Sequence, residues 1–149
     1  MSQHTARSET HSPAPIEAVW HLLSTVETWP TWSLHRVARL ERPGSPTPDG
    51  LGAIRVLGRS ARKVNREEVV AFDPPTHFAY RLLSGLAVDD YRADVRLAPD
   101  DAGGTRITWE SRFGKGGPTA PFYRVLVRWV VARWSADLAK AAAKAPVLR

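Results

Sequence analysis

Two neighbouring segments of strict apolar and polar alternation constrain this chain more than any other feature. From Tyr91 to Leu97, and again from Ile107 to Phe113, every second residue is apolar or small and the residues between are polar. Successive side chains of a strand point to opposite faces, so strands with one buried face are predicted from Asp90 to Leu97 and from Thr105 to Phe113. The turn residues from Asp100 to Gly104 join the two as an antiparallel pair, whose apolar face needs a covering layer.

Five further segments are predicted to be strands, separated by turns rich in proline and glycine. They are Gln3 to Ser12, Ser33 to Glu41, Ala53 to Gly58, Lys63 to Phe72 and His77 to Leu83. Two short helices are expected between the first and second strands. One begins at Pro15, which suits a first helical turn, and runs to about Ser24. The other covers Trp29 to Ser33, because Pro30 cannot continue the first helix.

One long helix is predicted from about Thr119 to Lys144. At 100° per residue an apolar stripe forms along it, and Arg124, Arg128 and Ser135 fall outside that stripe. The stripe consists of Tyr123, Val127, Val130, Trp134, Leu138 and Ala141. The first half of the helix has a second apolar flank, made of Phe122, Leu126 and Trp129. A helix lying on a flat sheet needs only one stripe, so this helix is expected to close a concave space.

The chain has 149 residues, which suits a single domain spanning residues 1–149. Seven antiparallel strands with one dry face have mainly the long helix to cover them. The predicted fold is therefore α+β: a strongly curved seven-stranded antiparallel sheet around a long C-terminal helix, with two short helices between strands 1 and 2. Large curved sheets tend to leave interior space, which makes a ligand cavity an expectation of the fold.

Several classes of chemistry are excluded by residues that the chain lacks. It contains no cysteine, so disulfides, thiolate metal sites and cysteine nucleophiles are ruled out. The five histidines form no pair at metal-binding helical spacing, and no metal or other cofactor is expected. No serine-hydrolase elbow or phosphate-binding glycine loop is present. Without a signal peptide or an apolar run of about 20 residues, a cytoplasmic protein with no transmembrane segment is expected.

The formal net charge of +6 is concentrated at the C-terminal end. From Ser111 to Arg149 there are eight basic residues and one acid, Asp137, whereas the first 110 residues are nearly neutral. Such a segment attracts nucleic acid, anionic lipid or an acidic partner, or is simply the solvated face of a helix. Its cations fall on different sides of the predicted helix. The solvated face is therefore favoured, and nucleic acid is not an expected partner.

Three motifs occur along nearly the whole chain in a characteristic order. They are Ala14 to Trp20 followed by Glu27 to Trp32, Val69 to Pro75 with Phe78 to Tyr80, and Gly103 to Trp109. In this order they resemble the START-like superfamily, also called SRPBCC, which includes the birch-pollen-allergen-like proteins and the polyketide cyclase/dehydrase group. The resemblance implies a helix-grip fold with a cavity for lipids, sterols, polyketides or other hydrophobic molecules. It implies less about chemistry, because binders, carriers and enzymes share this architecture.

The resemblance also implies particular residues if the chain is like the aromatase/cyclase branch of that superfamily. In that branch a tryptophan just after the first helix lines the pocket, and Trp29 matches this position. A buried arginine on a middle strand, with a nearby serine, holds the poly-ketone chain there. The corresponding strand here, Asn65 to Phe72, offers Arg66, Glu67 and Glu68 and no clean match for that arginine.

Polar residues on otherwise apolar strand faces are the candidates for catalysis. Glu68 shares a face with apolar residues, where it would be paired with Arg66, raised in pKa by burial, or exposed at a sheet edge. The hydroxyls of Tyr80 and Tyr91 could hydrogen-bond a ligand carbonyl or act as acids, or both residues could be core aromatics. The weak candidate catalytic residues are therefore Glu68, Tyr80 and Tyr91.

Eight residues, mostly aromatic, are the candidate ligand contacts. They are Trp29, Trp32, Tyr80, Tyr91, Trp109, Ser111, Phe113 and Trp129. Indoles around one space favour flat, fused-ring or sterol-like ligands, because stacking and area burial both contribute. The alternative interpretation is that these are ordinary core side chains.

The sequence thus predicts binding, or carriage, of a hydrophobic small molecule such as a lipid, sterol or polyketide in an internal cavity. The first alternative is a polyketide cyclase/dehydrase enzyme that acts on a ligand in the same cavity. Two further alternatives remain. One is a module that binds an anionic membrane or nucleic acid through the basic helix, and the other is a homodimer that buries Phe122 and Trp129.

Overall fold

Seven strands, two short helices and one long helix lie within the part of the chain that the structure describes. The computed structural model describes residues 2–144. The strands are β1 (Gln3–Ser12), β2 (Val37–Arg42), β3 (Ile54–Ser60), β4 (Lys63–Asp73), β5 (His77–Ser84), β6 (Asp89–Pro99) and β7 (Thr105–Gly114). The helices are α1 (Ile16–Ser24), α2 (Trp29–Trp32) and α3 (Ala120–Lys144), with a 3₁₀ turn at Val26–Thr28. Every predicted element is present, and only the second strand begins clearly later than predicted.

All seven strands form one antiparallel sheet in the order β1-β7-β6-β5-β4-β3-β2. β1 pairs with β7 along its whole length, from Gln3 opposite Gly114 to Ser12 opposite Thr105. The segment that contains α1 and α2 therefore carries the chain from one edge of the sheet, β1, to the other edge, β2. The predicted α+β architecture, with its two short helices between strands 1 and 2, is confirmed.

The β6 and β7 pair has the alternation that the sequence predicts. Ala93 lies opposite Ser111 and Val95 opposite Trp109, and all four side chains are buried. On the other face, Asp94 accepts hydrogen bonds from Arg92, as expected for a face covered by water and ion pairs. The sheet therefore directs one apolar face inward, where α3 must cover it.

The long helix covers this face unevenly. α3 packs mainly against β1 and β7, the two strands at one edge of the sheet. Ser12 donates its hydroxyl to the carbonyl of Ala139 over 2.8 Å, which fixes the C-terminal half of α3 to the edge strand. Small residues such as Ala142 allow this close approach. The opposite flank of α3, toward the middle strands, is left without a flush contact.

The buried stripe of α3 is rotated relative to the predicted one. The buried residues are Val127, Val131, Ser135, Leu138, Ala139 and Ala142. Ser135 was predicted to lie outside the stripe but is buried, and its hydroxyl is satisfied there by donating to the carbonyl of Val131 over 2.8 Å. Val130 and Trp134 were predicted to lie inside the stripe, and they are only half-buried because they border a cavity.

The outer face of α3 carries exposed apolar side chains as well as cations. The most exposed are Phe122 (64%), Val125 (64%) and Trp129 (52%). Arg124 and Arg128 are exposed on the same half of the helix. Farther along, Arg133 donates to the carboxylate of Asp137 over 2.9 Å. Within residues 2–144, no helix combines the length and the apolar character needed to cross a membrane.

Candidate ligand cavity

A cavity of two adjoining chambers lies between α3 and the middle strands of the sheet. The inner chamber has a volume of about 110 Å³ and is lined by Asn65, Glu67, Leu82, Leu86, Tyr91, Leu126, Val127, Val130 and Trp134. The outer chamber has a volume of about 310 Å³ and is lined by Leu34, His35, Leu57, Gly58, Arg59, Lys63, Asn65, Leu126, Trp129, Val130 and Trp134. Four residues border both chambers, so the two adjoin: Asn65, Leu126, Val130 and Trp134.

Strand β4 supplies the polar side of this cavity. Lys63, Asn65 and Glu67 are alternate residues of the strand and therefore share one face of the sheet. Lys63 borders the outer chamber, Asn65 borders both and Glu67 borders the inner chamber. The same parity directs Glu68 to the opposite face, where it accepts hydrogen bonds from Arg81 over 2.6 Å and Arg42 over 3.3 Å. The acid that faces the cavity is thus Glu67 and not the predicted Glu68.

Glu67 is held by a fully buried arginine on the neighbouring strand β3. The Nη2 atom of Arg55 donates to Oε1 of Glu67 over 2.9 Å, and neither side chain is appreciably exposed. Burial raises the pKa of the Glu67 carboxyl, while the charge and hydrogen bond of Arg55 act in the opposite direction. Because Arg55 does not border the cavity, the carboxylate of Glu67 lies between the guanidinium and the inner chamber.

Three aromatic rings also pack against the guanidinium of Arg55. Its Cζ atom lies 4.7 Å from the ring centre of Trp29, 5.1 Å from Phe78 and 5.3 Å from Tyr80. At these distances the ring faces attract the cation and offset part of its desolvation. The Nε and Nη1 atoms of Arg55 nevertheless have no hydrogen-bond partner among the described residues. A buried arginine of this chain is therefore on β3, whereas Arg66, on the strand considered in the sequence analysis, pairs with Glu41 at the surface.

A group of buried hydroxyls lies next to the Arg55–Glu67 pair, behind the inner chamber. The hydroxyl of Tyr91 and the Oγ atom of Ser111 are hydrogen-bonded over 2.8 Å. The hydroxyl of Tyr80 and the indole N–H of Trp109 are close enough to influence each other, yet neither makes a hydrogen bond of good geometry within residues 2–144. Burial, aided by Tyr91 and Glu67, raises the pKa of Tyr80 well above its usual value, and burial raises the pKa of Tyr91 too. Both phenols stay protonated at neutral pH.

Two of the eight candidate ligand contacts border the cavity. Tyr91 lines the inner chamber, and Trp129 lines the outer chamber at its exposed rim. The other six lie in the wall behind it: Trp29, Trp32, Tyr80, Trp109, Ser111 and Phe113. Trp29 packs against Trp32 with ring centres 4.6 Å apart and against Trp109 at 6.2 Å. Contact of these eight residues with a ligand stays a prediction.

His35 links the tryptophan cluster to the outer chamber. Its ring packs 5.5 Å from Trp29 and 5.2 Å from Trp134, and its Nδ1 atom is hydrogen-bonded to Ser33 Oγ over 2.8 Å. Burial lowers the pKa of His35 to about 4, with a further contribution from the nearby cations Arg55 and Arg59. The imidazole is therefore neutral at physiological pH. Within residues 2–144, no group of three His, Asp or Glu side chains is arranged to hold a metal ion.

Arg55 and Glu67, the ion pair at the inner end of the cavity, are not among the predicted site residues. Arg55 is the one charged residue in the otherwise apolar run from Ala53 to Gly58, which is a visible signal of a buried ion. Glu67 has no comparable signal, because both faces of β4 carry a mixture of polar and apolar residues. The assignment of Glu67 to the inner face depends on the pairing of β4 with β3, which places it opposite Arg55.

A curved sheet around a long helix, with an apolar cavity between them, defines the helix-grip class of hydrophobic-ligand-binding folds. A family model covers residues 3–146 of the chain. The protein belongs to the family described as polyketide cyclase / dehydrase and lipid transport, within the START-like superfamily that its motifs resemble.

Relatives in mycobacteria resemble this chain over most of its length. The uncharacterized proteins Rv2574 of Mycobacterium tuberculosis and Mb2604 of Mycobacterium bovis are each 28% identical to it over 131 residues. The match covers 82% of this chain and 74% of each relative.

Solved structures of lower identity share the fold. The crystal structure of Ara h 8.0201 has a TM-score of 0.72 and 18% identity, covering 95% of this chain and 96% of that one. XoxI from Bacillus cereus has a TM-score of 0.77 and 12% identity, with 95% and 96% covered. A protein from Thermobifida fusca has a TM-score of 0.74 and 22% identity, with 93% and 92% covered. At these identities the likeness concerns the fold alone.

Proposed function

We propose that this protein binds a hydrophobic small molecule, such as a lipid, sterol or polyketide, in the two-chamber cavity and carries it through water. The observation that supports this proposal most is the lining of the inner chamber. It is apolar except for Asn65, Glu67 and Tyr91, which lie on the sheet side. A site that is mostly apolar with a few fixed polar groups is typical of small-molecule binding, because area burial supplies affinity and the polar groups supply orientation.

The test is uptake of a neutral fluorescent probe, N-phenyl-1-naphthylamine, by the purified protein. Val130 borders both chambers, so the larger side chain of Val130→Trp would occupy space in them and should lower probe affinity at least tenfold. Ala132→Trp is the matched control, because Ala132 lies on the exposed face of the same helix and should leave affinity unchanged. Equal probe binding by both variants would argue against this cavity, and no saturable binding by the unmodified protein would refute the proposal.

A cyclase or dehydratase activity is the second candidate, favoured by one specific arrangement. The carboxylate of Glu67 and the hydroxyl of Tyr91 border the same inner chamber, and burial raises the pKa of both groups. A carboxylate with a raised pKa can accept a proton from an activated carbon, and a neighbouring phenol can donate one to a developing alkoxide. Turnover of an aromatic diketone mimic that falls at least tenfold in Tyr91→Phe, with probe binding retained, would support this activity. An unchanged rate would exclude Tyr91 from it.

A further inference from the structure

The two ends of the cavity differ in charge: the outer end has cations that are unpaired among the described residues, and the inner end has a carboxylate that is already paired with Arg55. Arg59 and Lys63 border the outer chamber, and within residues 2–144 neither forms an ion pair. The inner chamber has a single charged lining residue, Glu67. Among the described residues, the one other titratable group facing the outer chamber is His35, and it is neutral at physiological pH because burial and nearby cations lower its pKa to about 4. The cavity therefore presents cations at the rim and a carboxylate at the inner end.

Strand β4 sets the distance between these ends. Lys63 and Glu67 are four residues apart on one face of the strand, which corresponds to about 13 Å. Asn65, the residue midway, borders both chambers. Between the two ends the helix side of the cavity is apolar and consists of Leu126, Val130 and Trp134. A guest that spans both chambers thus has one end beside the cations, an apolar middle, and the other end beside Glu67.

From this arrangement, and resting on the proposed function, we infer that the ligand is an amphiphile with one anionic group, bound with that group outward. Its carboxylate, sulfate or phosphate lies between Arg59 and Lys63, and its apolar end lies in the inner chamber. The reverse orientation would place the anion in a water-poor chamber whose one charged lining residue, Glu67, is already paired with Arg55, so no cation there is left to offset the desolvation of the anion. The unpaired donors of Arg55 do not favour that reverse orientation, because Arg55 does not border the cavity.

The affinity test uses three amphiphiles of equal chain length: laurate, dodecan-1-ol and dodecylammonium. Each displaces the bound naphthylamine probe from the unmodified protein and from the double variant Arg59→Gln/Lys63→Gln. We expect the double variant to weaken laurate roughly tenfold, to leave dodecanol unchanged and to improve dodecylammonium. Added salt should weaken laurate in the unmodified protein only. The matched control is Arg39→Gln/Arg62→Gln, which removes two exposed cations that do not border the cavity and should change none of the three.

A second readout reports orientation directly. Carboxyl-¹³C laurate bound to the protein is titrated by NMR, and the cations at the rim should lower the pKa of the bound carboxyl relative to that in the Arg59→Gln/Lys63→Gln variant. A bound carboxyl whose pKa is raised, is insensitive to this double variant and falls in Glu67→Gln would show the reverse orientation and overturn the inference.

Two further outcomes separate the inference from the proposed function. Dodecanol binding without laurate binding would refute the anionic ligand and leave the hydrophobic-ligand function intact. Failure of the probe and of all three amphiphiles to bind would refute both. Equal loss of laurate affinity in the control variant Arg39→Gln/Arg62→Gln would show a long-range effect of net charge and also overturn the assignment to Arg59 and Lys63.

Discussion

Arg55 and Glu67 form a buried ion pair at the floor of the cavity, and such pairs are costly to break. Each ion loses its hydration on folding, and the hydrogen bond of 2.9 Å between them compensates only while both are present. Two unpaired nitrogens on Arg55 add to the cost. Each member of the pair is thus needed to neutralise the other, and the pair as a whole adds little to the free energy of unfolding.

Removing one member of this pair should therefore cost more than removing both. We expect Glu67→Leu to lower the free energy of unfolding by about 3–5 kcal/mol, because it leaves a buried guanidinium without a counter-ion. The double variant Arg55→Met/Glu67→Leu should recover most of that loss. Urea denaturation of the unmodified protein, Arg55→Met, Glu67→Leu and the double variant completes a double-mutant cycle, which measures the coupling energy between the two side chains. Additive losses would show that the two side chains are not coupled.

His35 makes stability depend on pH in the mildly acidic range. Its pKa is lowered to about 4 in the folded protein, against 6.5 for the unfolded chain. As pH falls from 6.5 toward 4 the unfolded state gains a proton that the folded state does not, so stability decreases by roughly 3 kcal/mol. The contribution is fully present above pH 6.5. Urea midpoints measured from pH 4 to 7.5 should show this slope, and the slope should be shallower in His35→Gln.

At the scale of elements, the position of α3 is the feature that determines the site. The helix rests on β1 and β7 through its small and β-branched residues and leaves Val130 and Trp134 at the cavity. The exposed residues Phe122 and Trp129 lie on its outer face. A homodimer through this outer face stays a prediction, which light scattering can test. The arginines Arg124 and Arg128 beside it would oppose close approach of a second copy.

Valine-to-alanine substitutions at a buried and an exposed position of α3 should have different effects on the free energy of unfolding. Val131→Ala removes buried methyl groups and should lower the free energy of unfolding by about 2 kcal/mol. Val125→Ala removes the same atoms from an exposed position and should change it by less than about 0.5 kcal/mol. Chemical denaturation of both variants is the measurement. Equal losses would mean that Val125 is covered in solution, as a dimer would require.

Periodicity predicted the elements well but did not predict their rotation. The strict alternation of β6 and β7 identifies their inner faces without ambiguity, and Trp109 and Ser111 lie where it places them. α3 has apolar residues on several sides, so its buried stripe depends on which strands it touches, which the sequence does not state. The pattern of β4 is similarly ambiguous, because polar and apolar residues occur on both of its faces. It therefore does not show that Glu67, and not the predicted candidate Glu68, faces the cavity.

At the scale of the whole molecule, the fold was predictable because three motifs and the order of elements agree. The gap between α3 and the middle strands was expected only in general terms, since it arises from packing between distant segments. Its charged ends depend on the pairing of β3 with β4, where Glu67 lies opposite Arg55. Arg59, Lys63 and Asn65 carried no signal of their own in the sequence, because polar residues near a turn are ordinarily solvated.

A ligand that occupies the gap should stabilise the whole chain. Binding to the folded state alone adds about 2.7 kcal/mol when the free ligand is at one hundred times its dissociation constant. For a protein of this size the melting temperature should rise by several degrees. The ligand for this measurement is N-phenyl-1-naphthylamine. It would compete with the reporter dye of differential scanning fluorimetry, so the melting temperature is measured by calorimetry. Val130→Trp should abolish the increase, and Ala132→Trp should retain it.

The hydrogen bond from Ser12 to the Ala139 carbonyl has a consequence for how a guest exchanges with solvent. It holds the far half of α3 on the sheet, whereas the near half follows Gly116 and Gly117, where added side chains would meet nothing within 4 Å. The buried residues of α3 begin only at Val127, so we expect the turns before it to tilt outward more readily than the later turns, which stay seated. Release of a guest would then proceed by this local hinge motion, far faster than global unfolding.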